Sequence, residues 1–328
     1  MTHVRPFGLR HVMLVRRLQN QGTLLDLEQA LTRPRAALWS ALLGQGSLAE
    51  GPVSTFVLPA AREAPDTGGF AQARLRPGGD EADVVFLAPS LGRQEAEEIW
   101  RSLLAGMVAS LAHHRVQRVF ARLSDELEAA RLFLEAGFML YTREDVFLLE
   151  QMPAEEAPRG LLKPAGEEAR WGIARLYAAA TPQVVRAAEG MGNAAAGAGM
   201  CRVAGGAQSF VWNKGGEIAA CVRLVSGPQG HWMHVLIHPD EAARAEEILR
   251  DALSHLPKEG AGRVFCSVRA YQAHLRGPLQ DIGFRFLTGQ SVLVRQNAIP
   301  VKVAEPRRAP ALEKRAEAHT PTAARRDA

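Results

Sequence analysis

Residues 132–141 read LFLEAGFMLY and residues 278–287 read PLQDIGFRFL. In each, an apolar helical run ends on Gly-Phe and a β-prone run follows. Glycine after the last helical residue supplies the left-handed backbone that closes a helix, and the phenylalanine begins the next strand. The pair raises the question of how much else the two halves share.

The echoes continue in order. Residues 5–7 (RPF) face 163–165 (KPA), and 73–75 (ARL) face 222–224 (VRL). FLAP at 86–89 faces LIHP at 236–239, EEIWR at 97–101 faces EEILR at 246–250, and RVF occurs at both 118–120 and 263–265. The offset stays between 145 and 158 residues, which small loop changes explain. A period this long is a duplicated domain and not a solenoid repeat. The chain therefore divides into an N-terminal domain (1–150), a polar linker (151–160), a C-terminal domain (161–300) and a disordered basic tail (301–328). Duplication predicts two superimposable halves, each with its own core and sheet, packed through strand edges or helices. A single continuous sheet would contradict it.

Local signals agree between the halves. Asn213-Lys214-Gly215-Gly216 between SFVW and EIAACVRLV predicts a hairpin. HWMHVLI (231–237) reads as a strand ending at Pro239, and DEAARAEEILRDALSHL (240–256) as a helix with Ala245, Ile248, Leu249 and Ala252 on one face. RVFCSV (263–268) is a buried strand. The first half repeats this order through TFVL, GFAQARL, ADVVFLA, VQRVFARL and DVFLLE. Each half is mixed α/β: helices, an antiparallel meander, helix, strand, helix, strand.

At 328 residues, 47% apolar and 23% charged, the composition is that of a globular protein. From Val301 onward there are seven Lys/Arg against four acids, so the tail supplies most of the net charge of +4. The nearly neutral body lacks the clustered cations of a nucleic-acid groove. Cys201, Cys221 and Cys266 have no metal-ligand spacing and read as reduced thiols. Neither a signal sequence nor a bilayer-length apolar run is visible, so a cytoplasmic location without membrane contact is expected.

The element order, the strand ending in x-P before a helix, and the A-x-x-L-F-x-x-x-G-F pattern of Ala129, Leu132, Phe133, Gly137 and Phe138 resemble the GCN5-related N-acetyltransferases, the GNAT superfamily. The resemblance covers residues 4–150 and 161–297. It implies two tandem GNAT-like domains, each a mainly antiparallel sheet flanked by helices. It also implies acetyl-CoA as cofactor, no metal, and a small-molecule or peptide amine as acceptor, with a homodimer as one option for assembly.

By the same resemblance the cofactor would lie along Leu87, Ala88 and Pro89 and on the loop carrying Arg93, Gln94 and Ala96. The loop departs from the family's R/Q-x-x-G-x-G/A pattern, because Ala96 and Glu98 stand where the small phosphate-contacting residues belong. In the second half Arg244 is followed by Glu247 and Leu249. Both helices open with carboxylates, which satisfy the helix dipole but repel a pyrophosphate. The family's proton-donating tyrosine is replaced by Phe133 and Leu279.

Substitutes for the lost chemistry are few. Tyr141, just past the first corner, is one. His234 and His238 share a face of their strand, and imidazole is a common general base, so each is a candidate for that role. At strand rise they stand about 13 Å apart, too far to grip one ion. His113-His114 reads as a helix-end pair. Residues 189–208, rich in glycine and alanine, read as a flexible loop or a substrate cover. Two functions follow: an acyl-CoA-dependent N-acyltransferase with a divergent donor site, or a catalytically inactive tandem that binds a small molecule or protein.

Overall fold

The computed structural model describes residues 3–34, 53–60, 67–93, 95–125, 129–152, 160–190, 207–257 and 262–298. Cys201, most of the 189–208 loop, most of the linker and the basic tail lie outside these residues.

The first half runs β1 (Arg5–Pro6), α1 (Val12–Leu18), β2 (Thr23–Leu24), α2 (Leu27–Thr32), β3 (Val53–Leu58), β4 (Gly69–Leu75), β5 (Glu81–Ala88), α3 (Ala96–His113), β6 (Arg118–Ser124), α4 (Ala130–Glu135) and β7 (Met139–Leu149). The second half runs β8 (Lys163–Pro164), α5 (Arg170–Ala180), α6 (Gln183–Glu189), β9 (Ala207–Lys214), β10 (Glu217–Ser226), β11 (His231–Ile237), α7 (Ala245–Ser254), β12 (Val264–Arg269), α8 (Arg276–Ile282) and β13 (Arg285–Gln296). The predicted hairpin forms between β9 and β10, with Gly215 and Gly216 both at positive φ. The two halves carry the same elements in the same order, except that β2 of the first half has no counterpart between α5 and α6.

The two Gly-Phe corners are identical in backbone design. Gly137 (φ 85°) donates to the Leu134 carbonyl at 2.9 Å, and Phe138 donates to that of Phe133 at 3.0 Å. Gly283 (φ 107°) donates to Gln280 at 2.9 Å, and Phe284 to Leu279 at 3.0 Å. This double closure satisfies the last helical carbonyls and needs a left-handed residue. Each corner then aims a long strand back across the molecule.

Here the structure corrects the two-sheet expectation. One sheet runs through the molecule in the order β1-β3-β4-β5-β6-β13-β7-β12-β11-β10-β9-β8. The single sheet overturns the account of two separately sheeted units; what remains of the duplication is the palindromic order of equivalent strands, with the last strands exchanged. β13, from the C-terminal half, pairs with β6 of the first half from Gln290↔Ser124 to Gln296↔Arg118. β7 pairs with β12 of the second half from Val264↔Leu149 to Arg269↔Glu144. β7 and β13 pair with each other at the centre.

The cores follow the exchange. Leu293 of β13 packs in the first-half cluster with Trp100, Leu103, Met107 and Phe133 under α3. Phe147 and Leu149 of β7 pack in the second-half cluster with Ile248, Leu249 and Leu279 under α7. Neither half closes a core from its own residues. Among the described residues no helix is long and apolar enough to cross a membrane.

Candidate active site at the two strand forks

Two pairs of parallel strands part along their length. β5 and β6 pair only at Glu81↔Arg118, Ala82↔Val119 and Asp83↔Phe120, although β5 continues to Ala88. β11 and β12 pair from His231↔Val264 to His234↔Ser267, and then diverge. Each fork frees one backbone edge, and a freed edge is a row of hydrogen-bonding groups that needs a partner.

In the first half the chain supplies that partner itself. β2 lies against the freed edge of β5, with Thr23 opposite Leu87 and Leu24 opposite Phe86. Leu25 N–H donates to the Val85 carbonyl at 2.9 Å, and Ser90 N–H donates to the Gln21 carbonyl at 2.6 Å. Gly22 permits the contact, since a Cβ there would stand 2.7 Å from the Leu87 oxygen and 2.3 Å from the Phe86 ring. Gly22→Val is therefore expected to dislodge β2 and lower the melting temperature. Hydrogen exchange at Leu25 and Ser90 reads the change directly.

The residues assigned to the cofactor from sequence sit on this covered edge. Leu87 is paired to Thr23, and Ala88 is buried and paired to Phe70 of β4. The Pro89 carbonyl accepts the Trp100 indole at 2.6 Å, and Arg93 donates to the Gln21 side chain at 2.5 Å. Ala96 is buried as the first residue of α3. Gln94 lies outside the described residues.

In the second half no strand among the described residues occupies the edge of β11 past His234. Instead the buried Gln272 amide, from the 3-10 turn after β12, donates to the Val235 carbonyl at 2.9 Å and accepts from Arg269 N–H at 3.3 Å. His234, the last residue paired before the parting, places Nε2 2.7 Å from the Glu28 carboxylate. Glu28 belongs to α2, so a first-half helix lies over the second-half fork. Burial alone would raise the Glu28 carboxyl; His234, Arg223 and Arg74 outweigh it and hold the pKa down to about 2.

The mirror crossing brings α6 over the first-half strands. Glu189 at its end accepts hydrogen bonds from Tyr141 of β7 at 2.9 Å and Tyr177 of α5 at 2.5 Å, with Arg269 at 3.4 Å. Burial, with Glu189 beside them, pushes both phenols well above the ordinary tyrosine range, against the opposing pull of Arg269 and Arg122 on Tyr141. Tyr141 therefore stays protonated at neutral pH with its hydrogen directed to a carboxylate.

Between the forks runs a ladder of charges on one sheet face. Asp83 meets Arg76 at 2.6 Å and Arg122 at 3.7 Å. Glu144 bridges Arg122 at 3.0 Å and Arg269 at 2.9 Å. Burial opposes the Asp83 charge, but the guanidinium groups hold its carboxyl well below the usual range.

His238, the other histidine candidate, lies just past β11. Its N–H donates to the Ala219 carbonyl at 2.9 Å, and its Nδ1 accepts from Asp240 N–H at 3.3 Å, capping the 3-10 turn Pro239–Arg244. His234 and His238 are thus given different partners. Among the described residues no group of three metal-binding side chains is assembled. Glu28, Glu189, Arg269 and Gln272 were not singled out from the sequence. Apart from the local contact of Gln272 with Arg269, their partners lie tens to hundreds of positions away, and no spacing rule connects them.

No protein-family model matches the chain, and no curated protein matches it. Among solved structures it is similar to a GCN5-related N-acetyltransferase from Sphaerobacter thermophilus, 14% identical with a TM-score of 0.48, over 91% of this chain and 97% of that one. It is also similar to a tandem GNAT protein from the clavulanic acid biosynthesis pathway, solved without AcCoA, at 16% identity and a TM-score of 0.48, over 90% and 98%. A third likeness is to an acetyltransferase-like protein from Pyrococcus horikoshii, at 13% and 0.49, over 90% and 89%.

Proposed function

We propose that the chain is an acyl-CoA-dependent N-acyltransferase that works at the second-half fork. The observation that carries this reading is the contrast between the forks. The first-half edge is covered by β2, whereas among the described residues the edge of β11 turned away from β10 meets, past His234, the Gln272 side chain and no strand. The residues present suit an extended thioester cofactor in part. Val235, Leu236 and Ile237 would offer it a backbone edge, and three of the carboxylates around the start of α7 have cationic partners. Lys214 pairs with Glu241 at 2.5 Å, Arg244 with Glu247 at 2.7 Å, and Arg250 with Glu246 at 2.9 Å. Among the described residues no glycine-lined phosphate cradle accompanies them.

Acetyl-CoA, when bound, supplies the activated acyl group. His234 serves as the base that takes the proton from the acceptor amine, which must be neutral to attack. The sheet and α2 hold the imidazole so that no reorganisation is needed when the proton moves. The acceptor is an amine of a small molecule or peptide.

Thermal-shift titration tests the reading. Acetyl-CoA at a hundred times its dissociation constant should stabilise the protein by roughly 2.7 kcal/mol. Arg93→Glu, on the first-half loop, should leave that shift intact, and its loss would move the site to the first half. No shift at millimolar acetyl-CoA would reject the transferase. In that case the covered first-half edge favours the second reading, a tandem that binds a small molecule or protein without catalysis.

A further inference from the structure

Glu28 is held at its place from both ends of its helix. At the start of α2, the Asp26 side chain accepts from Gln29 N–H at 3.1 Å and pairs with Arg74 of β4. At the other end, the Thr32 carbonyl accepts from Gln229 N–H at 3.2 Å, in the turn that leads into β11. Arg33 donates to the Ser226 carbonyl of the same turn. Gly227 allows this approach, because a Cβ there would stand 2.3 Å from the Thr32 oxygen. The helix is thus anchored to its own half at one end and to the other half at the other.

A carboxylate accepts hydrogen bonds and cannot donate them. The 2.7 Å contact therefore requires that Nε2 of His234 carry a proton, and in the neutral ring this makes Nδ1 the basic nitrogen. Neither partner is deeply sealed, with side chains 27% and 30% exposed. The groups facing the pair are Arg223, opposite His234 on β10, Trp232 with its ring 6.2 Å away, and Arg74 beside Asp26.

We propose that Glu28 is the positioning residue of the second-half site: it fixes the tautomer and orientation of His234 from the first half, so the site is complete only when both halves are joined. This rests on acyl transfer at the second-half fork. It extends that reading, because neither domain of the duplicated pair would be an enzyme alone.

The test uses the full chain and two readouts. NMR of the nitrogen-labelled His234 ring in wild type and Glu28→Gln reads the pairing without any cofactor. The wild-type ring should carry its proton on Nε2, and Glu28→Gln should move the ring toward the other tautomer. Acyl transfer from acetyl-CoA to a panel of primary amines reads the role. Glu28→Gln should lower kcat by about 10- to 100-fold, as expected for a misdirected base, with KM for acetyl-CoA within about twofold. Glu28→Asp should recover part of the loss. The same tautomer in both proteins overturns the pairing, and a changed tautomer with unchanged kcat overturns the positioning role. If the wild type acylates no amine, the transferase reading fails and the role falls with it, while the tautomer measurement alone still decides the pairing.

Discussion

A chain ended at Phe284, just before β13, is expected to lose cooperative folding in both halves, although only second-half residues have been removed. β13 is the partner of β6 over Gln290–Gln296 and of β7 from Arg285 to Val294. Its Val292, Leu293 and Val294 are each 1% exposed, and Leu293 lies in the first-half core. Burying an aliphatic side chain contributes about 1.5–3 kcal/mol, so three such losses approach the whole stability of a typical domain, roughly 5–15 kcal/mol. The truncation also bares the edges of two central strands, which promotes aggregation. Urea denaturation followed by circular dichroism, with hydrogen exchange at Val119 and Ala121 of β6, measures the effect. Full protection of β6 in the truncated chain would show that the first half closes without the exchanged strand.

The corners that aim these strands were legible because their requirements are local. A helix that closes through two main-chain bonds needs a left-handed residue, and Gly137 and Gly283 announce it. The meander, the β9–β10 hairpin and the helix over α7 were legible for the same reason: turn chemistry and period are written in adjacent residues. The exchange was not. RVFARLS in β6 and VFCSVR in β12 descend from the same pattern, so β7 and β13 meet an equivalent partner in either half. Strand residues specify an alternating buried face and leave open which copy they bury it against.

The candidate site divides along the same line. His234 could be named because imidazole titrates near neutrality and the strand pattern placed it on one face. Glu28 could not, since it sits in the first turn of a six-residue helix, where the dipole alone accounts for a carboxylate and nothing local points to a distant partner. Nor did the loop sequence around Arg93 reveal that β2 would cover the neighbouring edge. Close approach at Gly22 depends on the Phe86 ring and the Leu87 carbonyl, and both are distant in sequence.

Glu144→Ala is expected to destabilise the protein by about 3–5 kcal/mol, the scale of breaking a buried ion pair by removing one partner. Glu144 is 4% exposed and is shared by Arg122 and Arg269, which approach its two oxygens from strands on opposite sides of the sheet's centre. With the carboxylate gone, Arg122 keeps, among the described residues, the more distant Asp83 as its ion-pair partner, and Arg269 keeps Glu189 at 3.4 Å. Two guanidinium groups on one face are then under-compensated, and the cost lies in their lost partner more than in the vanished side chain. Glu144→Gln preserves shape and one acceptor, so its penalty should be clearly smaller. The exposed network of Arg101, Arg131, Glu97 and Glu135 is the control: Glu97→Ala should barely move the midpoint, because water and salt screen such pairs. Urea midpoints of the three variants decide the matter. Equal midpoints for Glu144→Ala and Glu97→Ala would mean that water reaches the ladder, and the seam between the halves would then be held by the strand pairing and the apolar faces alone.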